Sequence, residues 1–185
     1  MNRDQVERLL VQARRITNHS DYVIIGSLSA LGVSATAPAE MTGSVDVDLY
    51  PRDDPGRAGE VFKELGQGSE FEQRFGFYAD PVSPNLATLP DDWESRLVPV
   101  HFESGVTAWF LEANDAAISK YVRGEARDRD WIRAGLAAGV LSLAAIRWRL
   151  HDTVMESDER QRARQALAED MALFDPDHDE DAEST

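Results

Sequence analysis

The alternating run Val45-Asp46-Val47-Asp48-Leu49 constrains this chain more than any other feature. Residues i and i+2 of a β-strand share a face, so the run predicts a strand with Asp46 and Asp48 on one side and Val45, Val47 and Leu49 facing a core. Two carboxylates a strand period apart repel each other, and no Lys or Arg lies close before Arg52. The polar face of an edge strand would give the same alternation. The repulsion favours a bound cation, and hard cations such as Mg²⁺ take carboxylate oxygens together with substrate phosphates.

About twenty residues upstream, Tyr22-Val23-Ile24-Ile25 reads as a short buried strand that stops at Gly26. Ser27 to Gly32 reads as the opening turns of a helix, which aims unpaired backbone N–H groups of Gly26 and Ser27 at a position suited to an anion. A tight strand-to-helix connection with Ser27 as a cap is the plainer reading of the same residues. Gly-Ser and the aspartate pair together, more than either alone, point to metal and nucleotide chemistry.

Elsewhere, Val6, Leu9, Leu10, Ala13 and Ile16 fall at helical spacing and predict an amphipathic helix over 3–17. The stretch 33–43 reads as a loop. Pro55 opens a helix with Ala58, Val61, Phe62 and Leu65 on its apolar side. Residues 71–87, aromatic and interrupted by proline, read as short strands and loops. The segments 97–102 and 106–111 flank Ser104-Gly105 and predict a hairpin. Asn114-Asp115 would cap a helix over 116–123, and helices follow near 128–138, 142–151 and 158–173. The pattern predicts an α+β fold, a small mixed β-sheet with helices packed on one side, followed by a C-terminal helical segment. The expected division is a main domain over 1–135, a helical extension over 136–174 and a disordered acidic tail over 175–185.

The 185 residues carry a formal charge of -15. Asp175, Asp177, Asp179, Glu180, Asp181 and Glu183 concentrate part of it in the tail, yet the body remains acidic. Such a surface disfavours duplex DNA and anionic membranes, while a local basic patch would suffice for RNA. The chain has no cysteine, which excludes disulfides, thiolate zinc sites and a Cys nucleophile. Its four His are scattered, and His101 alone lies on an expected strand. The Trp residues read as core or interface anchors. With no signal-like start and no apolar run near the ~18 residues needed to span a bilayer, the expected location is cytoplasmic.

A second segment, Leu111 to Asp130, leads a strand into a helix carrying Lys120 and then a charged step at Arg127-Asp128. Together with Gly26-Ser27 and Asp46-x-Asp48, it resembles the nucleotidyltransferase fold of the polymerase-β type, nearest to the AbiE-type toxin nucleotidyltransferases of bacteria. The resemblance spans roughly 20–135. It implies a nucleotidyltransferase-like sheet and transfer of a nucleoside monophosphate from an NTP, with Mg²⁺ or Mn²⁺ as cofactor. The acceptor would be an RNA such as a tRNA end, a protein or a small molecule, and the context a toxin–antitoxin or phage-defence system with a cognate antitoxin. On this resemblance Gly26 and Ser27 form the phosphate-binding turn, and Ser44 is the small polar residue before the metal ligands Asp46 and Asp48. Lys120 contacts the triphosphate, and Asp128 is the acidic residue after the basic step. Without the resemblance, Lys120 reads as a solvated helix residue and Asp128 as a helix cap. A third carboxylate has no clear match, with Glu103 and Glu112 the candidates. That gap leaves open a noncatalytic protein that binds a nucleotide or partner. A sugar-nucleotide glycosyltransferase fits the short nucleotide-binding region poorly, and a haloacid-dehalogenase phosphatase fits the residues after Asp48 worse.

Overall fold

The computed structural model describes residues 1–174, so the expectation for the acidic tail lies outside the described residues. Helix α1 (Arg3–Thr17) opens with a reciprocal cap. The Asn2 side chain accepts the Gln5 N–H, and the Gln5 side chain accepts the Asn2 N–H, each at 3.0 Å. Strand β1 (Asp21–Ile24) runs into a 3-10 turn (Gly26–Ser29) and a short α2 (Ala30–Val33). After Pro38 comes α3 (Ala39–Thr42), then β2 (Asp46–Pro51), and a 3-10 turn at Pro55 leads into α4 (Ala58–Leu65). Next follow α5 (Glu70–Phe75), β3 (Tyr78–Pro81), the hairpin of β4 (Val98–His101) and β5 (Thr107–Phe110), and four helices. These are α6 (Ala113–Arg123), α7 (Ala126–Ala137), α8 (Leu143–Asp152) and α9 (Ser157–Phe174).

The sheet order is β3-β2-β1-β5-β4. Strand β1 is antiparallel to β2 and parallel to β5, β2 is parallel to β3, and β4 is antiparallel to β5. This is the expected α+β mixed sheet with a C-terminal helical segment. Helices cover both faces, however, where one was expected. The reason is visible in β1: Tyr22 and Ile24 enter one core with Val6, Leu9 and Leu10 of α1 and Val61 of α4, while Val23 and the following Ile25 enter a second core with α6 to α9. An unbroken apolar strand needs cover on both sides. Strand β2 is different. Val47 and Leu49 join the first core, but Asp46 and Asp48 on the other face are only half-buried, which keeps a cleft open there.

Local departures have local causes. Residues 70–75 form a helix because Ser69 accepts the Glu72 N–H at 3.1 Å, and Gly76 ends the helix at φ 76°. Phe71 and Phe75 are therefore one helical turn apart, and Phe71 packs edge-on against Phe77 with centroids 5.3 Å apart. Val45 precedes β2 and is exposed, as is Phe62 of α4. Helix α6 starts earlier than expected because Glu112, rather than Asn114-Asp115, caps it, accepting the Asn114 N–H at 3.1 Å and the Asp115 N–H at 3.3 Å.

The second core runs from α6 through α8 into α9, where Ala163 and Leu167 are buried. One turn on, the fully buried Asp170 accepts from Tyr121 Oη at 2.9 Å, Arg133 Nε at 2.9 Å and Arg129 Nη2 at 3.1 Å. This carboxylate ties α9 to α6 and α7. No described helix is long and apolar enough to cross a membrane. Replacing Asp170 with Ala leaves Tyr121 and Arg133 without their partner and Arg129 with Glu169 alone, and should lower the unfolding free energy by about 2 kcal/mol in a denaturant titration. A loss below about 0.5 kcal/mol, the scale of neutral surface changes, would show that the network does not hold α9.

Candidate active site

Parallel pairing of β2 with β3 sets Asp48 directly beside Asp80, so three carboxylates gather on the open face of the sheet. One oxygen from each of Asp46, Asp48 and Asp80 lies within 4.8 Å of the other two. The Ser44 hydroxyl donates to Asp46 Oδ1 and orients that carboxylate. Burial, then the negative charges of Asp46 and Asp80, push the Asp48 pKa up to about 6. Burial and Asp46 also raise Asp80. An all-oxygen, strongly repelling donor set that opens onto a cleft suits a hard divalent cation, so these residues fit the metal that the motif implies.

Gly26 shows why the first motif is tied to the second. Its φ is +72°, and a Cβ built there would lie 2.0 Å from Asp48 Oδ2. Only glycine lets the turn pass this carboxylate. The turn is pinned by the Ile25 N–H, which donates to the Asp48 carbonyl at 3.0 Å. It is a 3-10 turn followed by a four-residue helix, not the longer helix expected. The Ser27 hydroxyl accepts from Lys120 Nζ at 3.1 Å, and its carbonyl accepts from Trp131 Nε1 at 3.0 Å.

Lys120 is thus a buried residue of the site rather than a solvated helix residue. Its ammonium lies 3.3 Å from Asp128 Oδ1 and 4.8 Å from the centre of the Trp131 ring. Burial lowers its pKa against the opposing effect of Asp128. Asp128 is fully buried and also accepts from Arg123, at 2.8 Å through Nε and 2.5 Å through Nη2. Burial opposes its charge, but the hydrogen bonds from Arg123 and the charge of Lys120 outweigh it and hold Asp128 below the usual carboxylate range. It also accepts the Glu125 N–H at 3.2 Å, but as the third residue of a capping box whose N-cap is Glu125, so α7 starts at Ala126 and not after Asp128 as the cap reading has it.

Of the residues named from sequence, Gly26, Asp48 and Lys120 reach one cleft, Ser27 and the buried Asp128 bind Lys120 behind it, and Asp46, oriented by Ser44, stands beside Asp48. Gly26, Asp48, Lys120 and Arg123 line the cleft, and its volume is about 380 Å³. The two candidates for the third carboxylate go elsewhere. Glu112 caps α6 and pairs with Arg149, and Glu103 is exposed in the β4–β5 turn. Asp80 takes that place, and Arg123, one turn beyond Lys120, joins the cationic side. His101 is exposed and contacts Thr107 Oγ1 through Nδ1 at 3.1 Å. Trp131 is buried as expected of an anchor, whereas Trp148 is exposed.

A sheet carrying three grouped aspartates, faced by a Gly-Ser turn and a buried lysine, agrees with the layout that the resemblance to nucleotidyltransferases implies. A family model described as nucleotidyltransferase of unknown function (DUF6036) matches residues 4–175, and the chain belongs to that family. No curated protein and no solved structure matches it.

Two outcomes follow from this geometry. The folded protein holds the Asp48 proton more tightly than the unfolded chain, whose group titrates near 3.8. Stability from that proton is complete below this value and is lost as pH rises through about 6. At pH 8 in EDTA the charged Asp48 costs on the order of 3 kcal/mol, so Asp48→Asn should melt higher than wild type there and lose that advantage near pH 4. Equal melting curves at both pH values would remove the argument. Gly26→Ala should destabilise the fold by about 2 kcal/mol, less so in an Asp48→Ala background. A double-mutant cycle should give a coupling of at least about 1 kcal/mol, and additivity would show that the two residues do not meet.

Proposed function

We propose that this member of the nucleotidyltransferase family is an active, metal-dependent enzyme that moves a nucleoside monophosphate from an NTP to an acceptor. The observation that carries the reading is the grouping of Asp46, Asp48 and Asp80 opposite Lys120 and Arg123 across the Gly26-Ser27 turn. Asp46, Asp48 and Asp80 would hold Mg²⁺ or Mn²⁺, which when bound neutralises phosphate charge and lowers the pKa of an attacking oxygen. An acceptor oxygen attacks the α-phosphorus, the bond to the bridging oxygen breaks, and pyrophosphate leaves. Lys120 and Arg123 offset the charge that builds on the departing phosphates. Asp128 keeps both cations turned toward the cleft, and Ser27 holds the Lys120 ammonium beside the turn. Ser44 orients Asp46.

In this reading residues 1–135 carry the chemistry and 136–174 form an extension that closes the second core. The acceptor is an RNA such as a tRNA end, a protein or a small molecule. The likeness to AbiE-type toxins supports a toxin–antitoxin or phage-defence setting with a cognate antitoxin. The alternative of a noncatalytic protein that binds a nucleotide or a protein partner draws on the lack of a third carboxylate in the sequence motifs and on the acidic body; Asp80 offers a candidate for that carboxylate and so favours the enzyme.

Incubation with Mg²⁺ or Mn²⁺, each labelled nucleoside triphosphate and a cell extract should label a macromolecule or a small product. Asp48→Ala and Asp80→Ala should each reduce labelling by at least about 100-fold, the scale on which removing one transition-state stabilising group acts. Equal labelling by wild type and Asp48→Ala would sink the site. Asp48-dependent nucleotide binding without labelling by any extract would favour the noncatalytic protein.

A further inference from the structure

A second pocket opens on the same face of the sheet, one strand period from the cleft. Strand β2 turns Asp46, Asp48 and Tyr50 to one side and Val47 and Leu49 to the other. Tyr50 pairs with Val23 of β1, and two residues on the Ile25 N–H donates to the Asp48 carbonyl. Asp48 and Ile25 line the cleft, whereas Tyr50 and Val23 line a pocket of about 200 Å³. The two levels are roughly 7 Å apart along the strands. One segment borders both, with Pro84 at the pocket and Leu86 and Ala87 at the cleft.

The pocket holds polar groups that the fold leaves unused. Tyr50 is only 3% exposed, yet its hydroxyl has no hydrogen-bond partner among the described residues. The charges that act on that hydroxyl, Glu94 and Arg52, belong to residues lining the same pocket, so the hydroxyl is aimed there. Trp93, half-buried in the lining, also leaves its indole N–H without a partner among the described residues. Buried donors without partners are costly, and a bound group that accepts from them recovers the loss. The rim is acidic. Asp53 and Glu94 are exposed and form no ion pair among the described residues, while the Arg52 guanidinium lies over the Trp109 ring at 3.7 Å. Two free carboxylates beside one engaged guanidinium repel a phosphate and admit a neutral or cationic group.

The place of this pocket relative to Asp48 gives it a role. Along β1 the order is Val23, Ile25 and then the Gly26-Ser27 turn, so the pocket and the turn flank Asp48 on opposite sides. In-line displacement sets the attacking oxygen opposite the leaving group. With pyrophosphate departing toward Ser27, Lys120 and Arg123, the attacking oxygen arrives from the Tyr50 side. Resting on the nucleotidyl-transfer reading, we propose that the Tyr50–Trp93 pocket is the acceptor subsite, and that it takes a neutral or cationic hydroxyl-bearing group of a protein or a small molecule rather than an RNA end. The acceptor hydroxyl oxygen bonds to the α-phosphorus, its proton passes to solvent, and pyrophosphate leaves with the electron pair of the broken bond. Tyr50 and Trp93 hold the acceptor beside that hydroxyl, and Asp53 and Glu94 turn away phosphate-bearing chains.

The test uses the full chain with Mg²⁺, each α-labelled nucleoside triphosphate, and a cell extract separated by ultrafiltration into small molecules and macromolecules. Label should enter the small-molecule fraction or protein, the two sources being told apart by the filter, and should survive ribonuclease. Tyr50→Phe and Trp93→Phe keep the rings and remove the donors. Each should raise at least about fivefold the amount of the accepting fraction needed for half-maximal labelling, the scale of one hydrogen bond. The calorimetric Kd for the labelled nucleotide should stay within about twofold, and melting curves matching wild type would verify folding. Unchanged half-maximal amounts in both variants, or nucleotide binding weakened as much as acceptor use, would overturn the subsite and leave the transfer reading standing. Ribonuclease-sensitive label would overturn the acceptor class. Failure of wild type to label any fraction would overturn the proposal together with the reading it rests on.

Discussion

Repulsion among three carboxylates on one face of two paired strands is the constraint around which the rest of the molecule is arranged. The β2–β3 register sets Asp48 beside Asp80, and the strand period brings Asp46 to the same face. None of the three can move away without breaking the ladder or emptying the core beneath Val47 and Leu49. The protein answers with two cations on the facing helix rather than with a direct ion pair. Lys120 and Arg123 lower the Asp48 pKa from a distance, while their own hydrogen bonds go to Asp128. The carboxylates are left available for a cation from solution. A salt bridge to Asp48 would have satisfied the charge and closed the site.

The parts of this arrangement that could be read from sequence are those whose signal is local. The alternation in β2, the apolar run of β1 and the turn of the β4–β5 hairpin each carry their pattern within a few residues. Asp80 carries the same alternation in Tyr78-Ala79-Asp80, but Pro81 and Pro84 follow and give the stretch the composition of a loop. Its place beside Asp48 depends on a parallel pairing between strands separated by two helices, and no short-range rule predicts that register. Helix α5 was hidden for a related reason, since Phe71, Phe75 and Phe77 suggest strand by residue type while Ser69 and Gly76 set helical ends. Arg123 shares a helix face with Lys120, a relation that spacing alone would have revealed. The cover on both faces was also written in Tyr22 to Ile25, where alternation is absent.

The buried polar residues of the helical half have a common purpose. Asp128, Asp115 and Asp170 are each fully buried, and each binds two or more cationic groups. Asp115 joins Arg96, which precedes β4, to Arg149 of α8, and Asp170 joins α9 to α7 and α6. Such pairs add little net stability when formed, but losing one partner is costly, so they select one packing of the helices. Lys120 is held relative to Ser27, and α9 relative to the cleft, by these junctions. Trp131 adds a further link, since its indole N–H also reaches the Met41 carbonyl at 3.1 Å and so joins α3 to the turn at Ser27.

Strand β3 stands at the margin of the sheet, with β2 as its single neighbour among the described residues. An outermost strand opens more readily than an inner one, because one ladder of hydrogen bonds holds it and its other side meets solvent. Asp80 rides on that strand, and the charge beside it pushes outward along the direction in which the strand would peel away. A divalent cation shared by Asp46, Asp48 and Asp80 would reverse that push. It would act as a clasp on the sheet margin as well as a reagent, so that loading the site and finishing the fold become one event.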